Sequence, residues 1–134
     1  MTMQRTPVNP WAWSAQFGYH QAELVTGATR TLFCAGQTAM SPDGEPQHPG
    51  DMAAQITLSL DNLEAVLAGA GMSLANLVRL KVYTTDVDLL LQHYGALGPR
   101  LAAAGAAPPS TLLGVVRLAV PELLVELEGT AVAS

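Results

Sequence analysis

An α+β domain is predicted by three features of this sequence. Between Asp51 and Gly71, Ala53, Ile56, Leu60, Leu63 and Leu67 recur at three- and four-residue spacing, one apolar stripe with the period of a helix packed on one side. From Leu77 to Thr85 the chain alternates: Val78, Leu80 and Val82 point one way, Arg79, Lys81 and Tyr83 the other, which is the period of a strand. Two more β-rich runs, Ser110 to Leu118 and Leu123 to Val132, close the chain.

Taken in order, residues 1–16 carry Trp11, Trp13 and two prolines and read as an N-terminal arm, anchored on the domain or lying over a cleft as a lid. Phe17 to Val25 reads as a strand, Thr26 to Thr29 as a turn, and Thr31 to Gln37 as a second strand. Pro42-Asp43-Gly44 supplies the fixed φ and the positive φ of a tight turn. Asp51 is placed to cap the first helix, and Gly69 and Gly71 to stop it. Asp86 opens a second helix with Leu90, Tyr94, Leu97 and Leu101 on one side, bent or interrupted by Pro99. Ala102 to Pro109 is helix end plus connector, giving the order ββαβαββ.

At 134 residues the chain is one domain with a single core. Apolar residues make up 49% and charged residues 13%, against roughly 25% charged in an ordinary soluble domain. Two helices cover only one face of a five-stranded sheet, yet both faces carry apolar residues, so a second copy of the chain is the economical cover. A net charge of −5, with six scattered Lys and Arg, weighs against a nucleic-acid partner. Met1 to Trp13 holds no apolar run of signal-peptide length, and Leu123 to Val132 is too short to span a bilayer. A single cysteine excludes an internal disulfide and suits a reducing cytoplasm.

Phe33-Cys34-Ala35-Gly36-Gln37, Pro109-Ser110-Thr111-Leu112-Leu113-Gly114-Val115-Val116-Arg117-Leu118 and Val125-Glu126-Leu127-Glu128 together resemble the Rid (YjgF-like) reactive-intermediate deaminases, also called the endoribonuclease L-PSP family. The resemblance covers about residues 17–134. It implies a chorismate mutase-like α+β domain, a mixed sheet with two helices on one face, assembled as a homotrimer with clefts between subunits. It also implies hydrolysis of a reactive imine or enamine without a cofactor. The deaminating members carry an arginine that clamps the substrate carboxylate where this chain has Ser110, so a standard 2-imino acid is expected to be a poor substrate. A ligand-binding trimer without turnover is the alternative, and the ribonuclease role attached to the family's name is disfavoured by the sparse basic residues.

The candidate site follows from the same resemblance. Glu126 matches the glutamate that holds the attacking water. Glu126 and Glu128, two apart on a strand, share a face that is either solvated or turned into the subunit interface. Gly36 and Gln37 match a Gly-Gln pair where a ligand approaches the backbone, and Ala35 replaces the usual serine. Tyr19 resembles a cleft-lining aromatic, with an ordinary strand aromatic as the plain reading; Tyr94 matches a second tyrosine but reads better as helix packing. Ser110 and Leu112 complete the expected lining, and Arg117 reads as a structural rim residue. Cys34 reads as a small core hydrophobe. His20, His48 and His93 lack metal-ligand spacing, so no metal is expected.

Overall fold

Asp51 sets the start of the longest helix: its carboxylate accepts the Ala54 N–H at 3.0 Å, and the Gly71 and Met72 amides close the far end on Ala68 and Leu67. In this computed structural model, which describes residues 2–134, the elements are β1 (Gln4–Val8), β2 (Ala22–Thr26), β3 (Arg30–Phe33), α1 (Met52–Gly69), β4 (Leu77–Thr84), α2 (Val87–Gln92), α3 (Gly98–Ala103), β5 (Ser110–Gly114) and β6 (Val125–Ala133). Gly71 adopts φ 70°, the left-handed conformation that ends a helix at least steric cost in glycine.

The main sheet has the order β3-β6-β4-β5, with β4 and β5 parallel and the other pairs antiparallel. The α+β class with a mixed sheet and helices on one face is as the sequence predicts, but the sheet has four strands rather than five, because β2 pairs with β1 in a separate two-stranded ribbon. Ile56, Leu60, Leu63 and Leu67 of α1 pack with Leu80, Val82, Val125, Leu127 and Ala131 of the sheet, all buried. Met52 rather than Ala53 heads the buried stripe.

Several boundaries differ from the sequence reading, each for a local reason. Phe17 to Val25 is not one strand: Trp13–Phe17 forms a 3₁₀ turn closed by Gly18 at φ 80°, and β2 begins only at Ala22. Within the expected arm, residues 4–8 form β1, an antiparallel partner of β2. Arg5 anchors this ribbon by pairing with Glu23 and donating to the Leu77 carbonyl at 2.8 Å. In β4 a bulge lies between Leu77 and Arg79, so Leu77 is buried and Val78 only half-buried.

The second helix breaks at His93–Leu97, ahead of Pro99, which sits in the first turn of α3 where its missing N–H costs nothing. β5 ends at Gly114 rather than Leu118. The Thr31–Gln37 strand stops at Phe33 and re-engages at Gln37. Phe33 pairs with Thr130 and Gln37 with Leu127, so four steps on one strand match three on the other. That bulge places Gly36 beside β6.

Candidate functional site: two clefts on opposite faces of the sheet

The register divides the expected site residues between two faces. Glu126 stands opposite Tyr83 and Glu128 opposite Lys81, on the face that no helix covers. Ser110 stands beside Leu80 and Leu112 beside Val82, both of which face the helices.

On the open face a cleft of about 380 Å³ is lined by Gly36, Tyr83, Val115, Arg117, Glu126 and Glu128, among others. A methyl group built on Gly36 would lie 2.6 Å from Glu126 Cδ and 2.9 Å from Cγ, so the glutamate side chain runs directly over this glycine. Partial burial, then the neighbouring Glu128 charge, raises the Glu126 pKa above the ordinary carboxylate range. Tyr83 Oη donates to Glu128 Oε1 at 2.7 Å, and that bond to the carboxylate, with desolvation, raises the phenol's pKa. Arg117 donates to the Leu118 and Ala119 carbonyls at 3.2 and 3.3 Å, which curls its own loop along the cleft.

On the helix side a cleft of about 530 Å³ is walled by Trp13, Phe17, Tyr19, Tyr94, Ser110 and Leu112, with Leu80, Val82, Leu91 and Leu97 completing it. Trp13 and Tyr19 meet edge to face, ring centres 6.2 Å apart at 82°. Ser110 Oγ donates to the Pro108 carbonyl at 2.8 Å. Tyr94 Oη makes a long 3.5 Å contact to the Phe17 carbonyl, and burial raises its pKa.

Of the sequence-predicted residues, the fold therefore brings Tyr19, Ser110 and Leu112 together, and separately Gly36 and Glu126. Gln37 lines neither of these clefts: its backbone exchanges two hydrogen bonds with Leu127, and its side-chain amide folds back onto the Ala35 carbonyl at 3.2 Å. Cys34 is buried in the core, and burial raises its thiol pKa. Among the described residues no cluster of three or more His, Cys, Asp or Glu could hold a metal ion, and no helix is long and apolar enough to cross a membrane.

The sequence reading passed over two buried or half-buried amides that hold the site's loops. Gln55 Nε2 donates to the His48 and Glu122 carbonyls, at 3.1 and 2.9 Å, and its Oε1 accepts the Leu124 N–H at 2.8 Å. This fixes the entry to β6 one residue before Val125. Asn62 donates to the Thr38 and Met40 carbonyls at 2.8 and 3.0 Å and holds the segment that follows Gly36-Gln37. Both lie on α1 among apolar neighbours, and polar residues inside an apolar stripe are the signal that could have found them.

Comparison with known proteins gives the family. The chain resembles the crystal structure of YyfB from Yersinia pestis, a protein of unknown function in the conserved Rid family, with 36% identity, a TM-score of 0.83 and coverage of 96% of this chain and 98% of that one. The mitochondrial protein mmf2 of Schizosaccharomyces pombe is 37% identical over 86 residues, 64% of each chain. A 2-iminobutanoate/2-iminopropanoate deaminase of Rattus norvegicus is 34% identical over 70 residues, 52% of this chain and 49% of that protein. The matches to these two curated relatives thus span between about half and two thirds of their lengths. A family model described as Endoribonuclease L-PSP matches residues 12–133, nearly the whole of the folded chain, and the protein belongs to this family, the Rid/YjgF-like proteins.

Proposed function

We propose that this protein is a Rid-type hydrolase acting on a reactive imine or enamine in a cleft formed between subunits of a homotrimer, with Glu126 as the catalytic carboxylate. The observation that carries the reading is the Glu126–Gly36 arrangement: a carboxylate of raised pKa, seated over a residue with no side chain, at the edge of an open cleft. A carboxylate tuned upward is a better base near neutral pH than an ordinary one.

The chemistry balances without a cofactor. Glu126 takes a proton from water as the water oxygen bonds to the imine carbon, and the C=N electron pair moves onto nitrogen. Glu126 returns that proton to nitrogen, giving a neutral carbinolamine. The carbinolamine's hydroxyl proton then passes by way of Glu126 to nitrogen as the C–N bond breaks, so ammonia leaves with the bonding pair, the C=O forms and Glu126 is again a carboxylate. The two clefts open on opposite faces of one sheet, so a substrate touching both Glu126 and Ser110 needs residues from two copies. Phe33 and Leu113, 79% and 47% exposed on the face with Glu126, supply apolar surface for that contact.

Ammonia release from imines generated in situ tests the reading. Acceleration that is lost in Glu126→Gln supports it. Turnover unchanged in that variant refutes it, and unchanged recovery of bound ligands would favour a binding trimer instead.

A further inference from the structure

We propose that the helix-side cleft binds small ligands carrying an N–H cation, an ammonium or iminium, on an apolar or aromatic body, and that it discriminates against carboxylates. The inference deepens the hydrolytic reading and rests on it for the identity of the substrate, an imine formed from a simple amine-bearing compound without an acid group. The cation preference itself is a statement about binding.

Three observations carry it. First, the polarity of Ser110 is set by its own backbone. Its hydroxyl proton is committed to the Pro108 carbonyl, so what the oxygen turns toward the cleft is lone pairs. A hydroxyl in that state accepts from an N–H without giving anything up, whereas donating to a carboxylate would cost it the Pro108 bond. Second, the walls are aromatic: Trp13, Phe17, Tyr19 and Tyr94 line the cleft, and Trp13 and Tyr19 meet edge to face. Aromatic faces attract cations through the ring quadrupole and repel anions. Third, among the described residues no Lys, Arg or His lines this cleft. A desolvated carboxylate entering it would therefore meet no counter-charge.

The volume, about 530 Å³, lies in the range of small-molecule pockets, and Leu80, Val82, Leu97 and Leu112 give the ligand's body an apolar floor. The charge balance of the chain, net −5, acts in the same direction over longer range.

Calorimetric titration of the assembled protein at pH 7 with benzylamine, benzyl alcohol and benzoate tests the proposal. These three probes share a ring and differ in one small substituent, which is cationic, neutral or anionic. Benzylamine is expected to bind at least about tenfold more tightly than benzoate, with benzyl alcohol between them. That preference is expected to fall in Ser110→Ala and in Trp13→Ala, an exposed position whose truncation leaves the core intact. Benzoate binding as tightly as benzylamine overturns the proposal, and so does a cation preference that survives both substitutions, because it would then arise elsewhere on an acidic protein. The two readings fail separately. Cation-selective binding without Glu126-dependent hydrolysis refutes only the hydrolase, and hydrolysis without cation selectivity refutes only this inference.

Discussion

The Glu126 side chain occupies the space in which any side chain at Gly36 would have to sit. Gly36 is therefore a requirement of the glutamate's position, set by a contact between β6 and the bulged end of β3. Gly36→Ala is expected to push the carboxylate aside. The obstructing atoms are the end of a flexible side chain, so the melting temperature should move by no more than about 5 °C. Turnover should fall by about 10- to 100-fold, the order expected when a reacting group is displaced by an ångström. Parallel melting curves and ammonia assays separate the two effects.

The pH dependence follows from the same residue. Because Glu126 is raised by burial and by Glu128, the acid limb of the rate profile should lie above the ordinary carboxylate range. Glu128→Gln removes the charge contribution and leaves the burial, so the limb should move down without reaching the unperturbed value. An unmoved limb would mean that another group controls the rate.

Stability carries the opposite sign. A carboxyl whose pKa is higher in the folded than in the unfolded state binds its proton more tightly when folded. Its favourable contribution is therefore present at low pH and is lost as pH rises from the ordinary glutamate value of 4.5 through the raised folded one. Glu126→Gln should melt higher than the parent at neutral pH, and the difference should vanish below about pH 4. Paired melting curves across pH 3 to 8, about the range where carboxylates titrate, check the sign.

What was legible in the sequence is what repeats locally. The period of Ile56, Leu60, Leu63 and Leu67 fixed α1 by itself, and the two-residue spacing of Glu126 and Glu128 put both on one face before any partner strand was known. Long-range register was not legible. Nothing in Ser110-Thr111-Leu112 tells which parity turns toward the helices, since both carry groups that tolerate either side. The pairing of Leu80 with Ser110 decides it. β1 was hidden by Pro7, which cannot donate to a ladder and reads as arm, and by an anchor, Arg5 to Glu23 and Leu77, that exists only in three dimensions.

Gln55 is fully buried and makes three hydrogen bonds to the backbone of two loops. Gln55→Leu keeps the volume but strands the Leu124 N–H and the Glu122 carbonyl, while the His48 carbonyl keeps the Asp51 N–H. The expected loss is about 2–4 kcal/mol, the cost of leaving buried polar groups unpaired. Urea titration measures it. A loss under about 0.5 kcal/mol would mean that water or loop movement satisfies those groups.

Ser110 and Glu126 face away from each other across a single sheet, so their cooperation requires two copies, and mixing experiments can detect it. Ser110→Trp should fill the helix-side cleft and Glu126→Gln should remove the base, so each variant alone should be inactive. A site built from Ser110 of one copy and Glu126 of its neighbour is intact only when a Glu126→Gln chain supplies the serine and a Ser110→Trp chain supplies the glutamate. Random co-assembly of equal amounts would restore about a quarter of the parent's sites, one half multiplied by one half. Both variants must first be seen to sediment as the parent does. Should Phe33→Asp, on the Glu126 face, reduce the parent to single chains, activity should disappear with the assembly. Full activity in those single chains, or no recovery in the mixture, would place the working site within one copy.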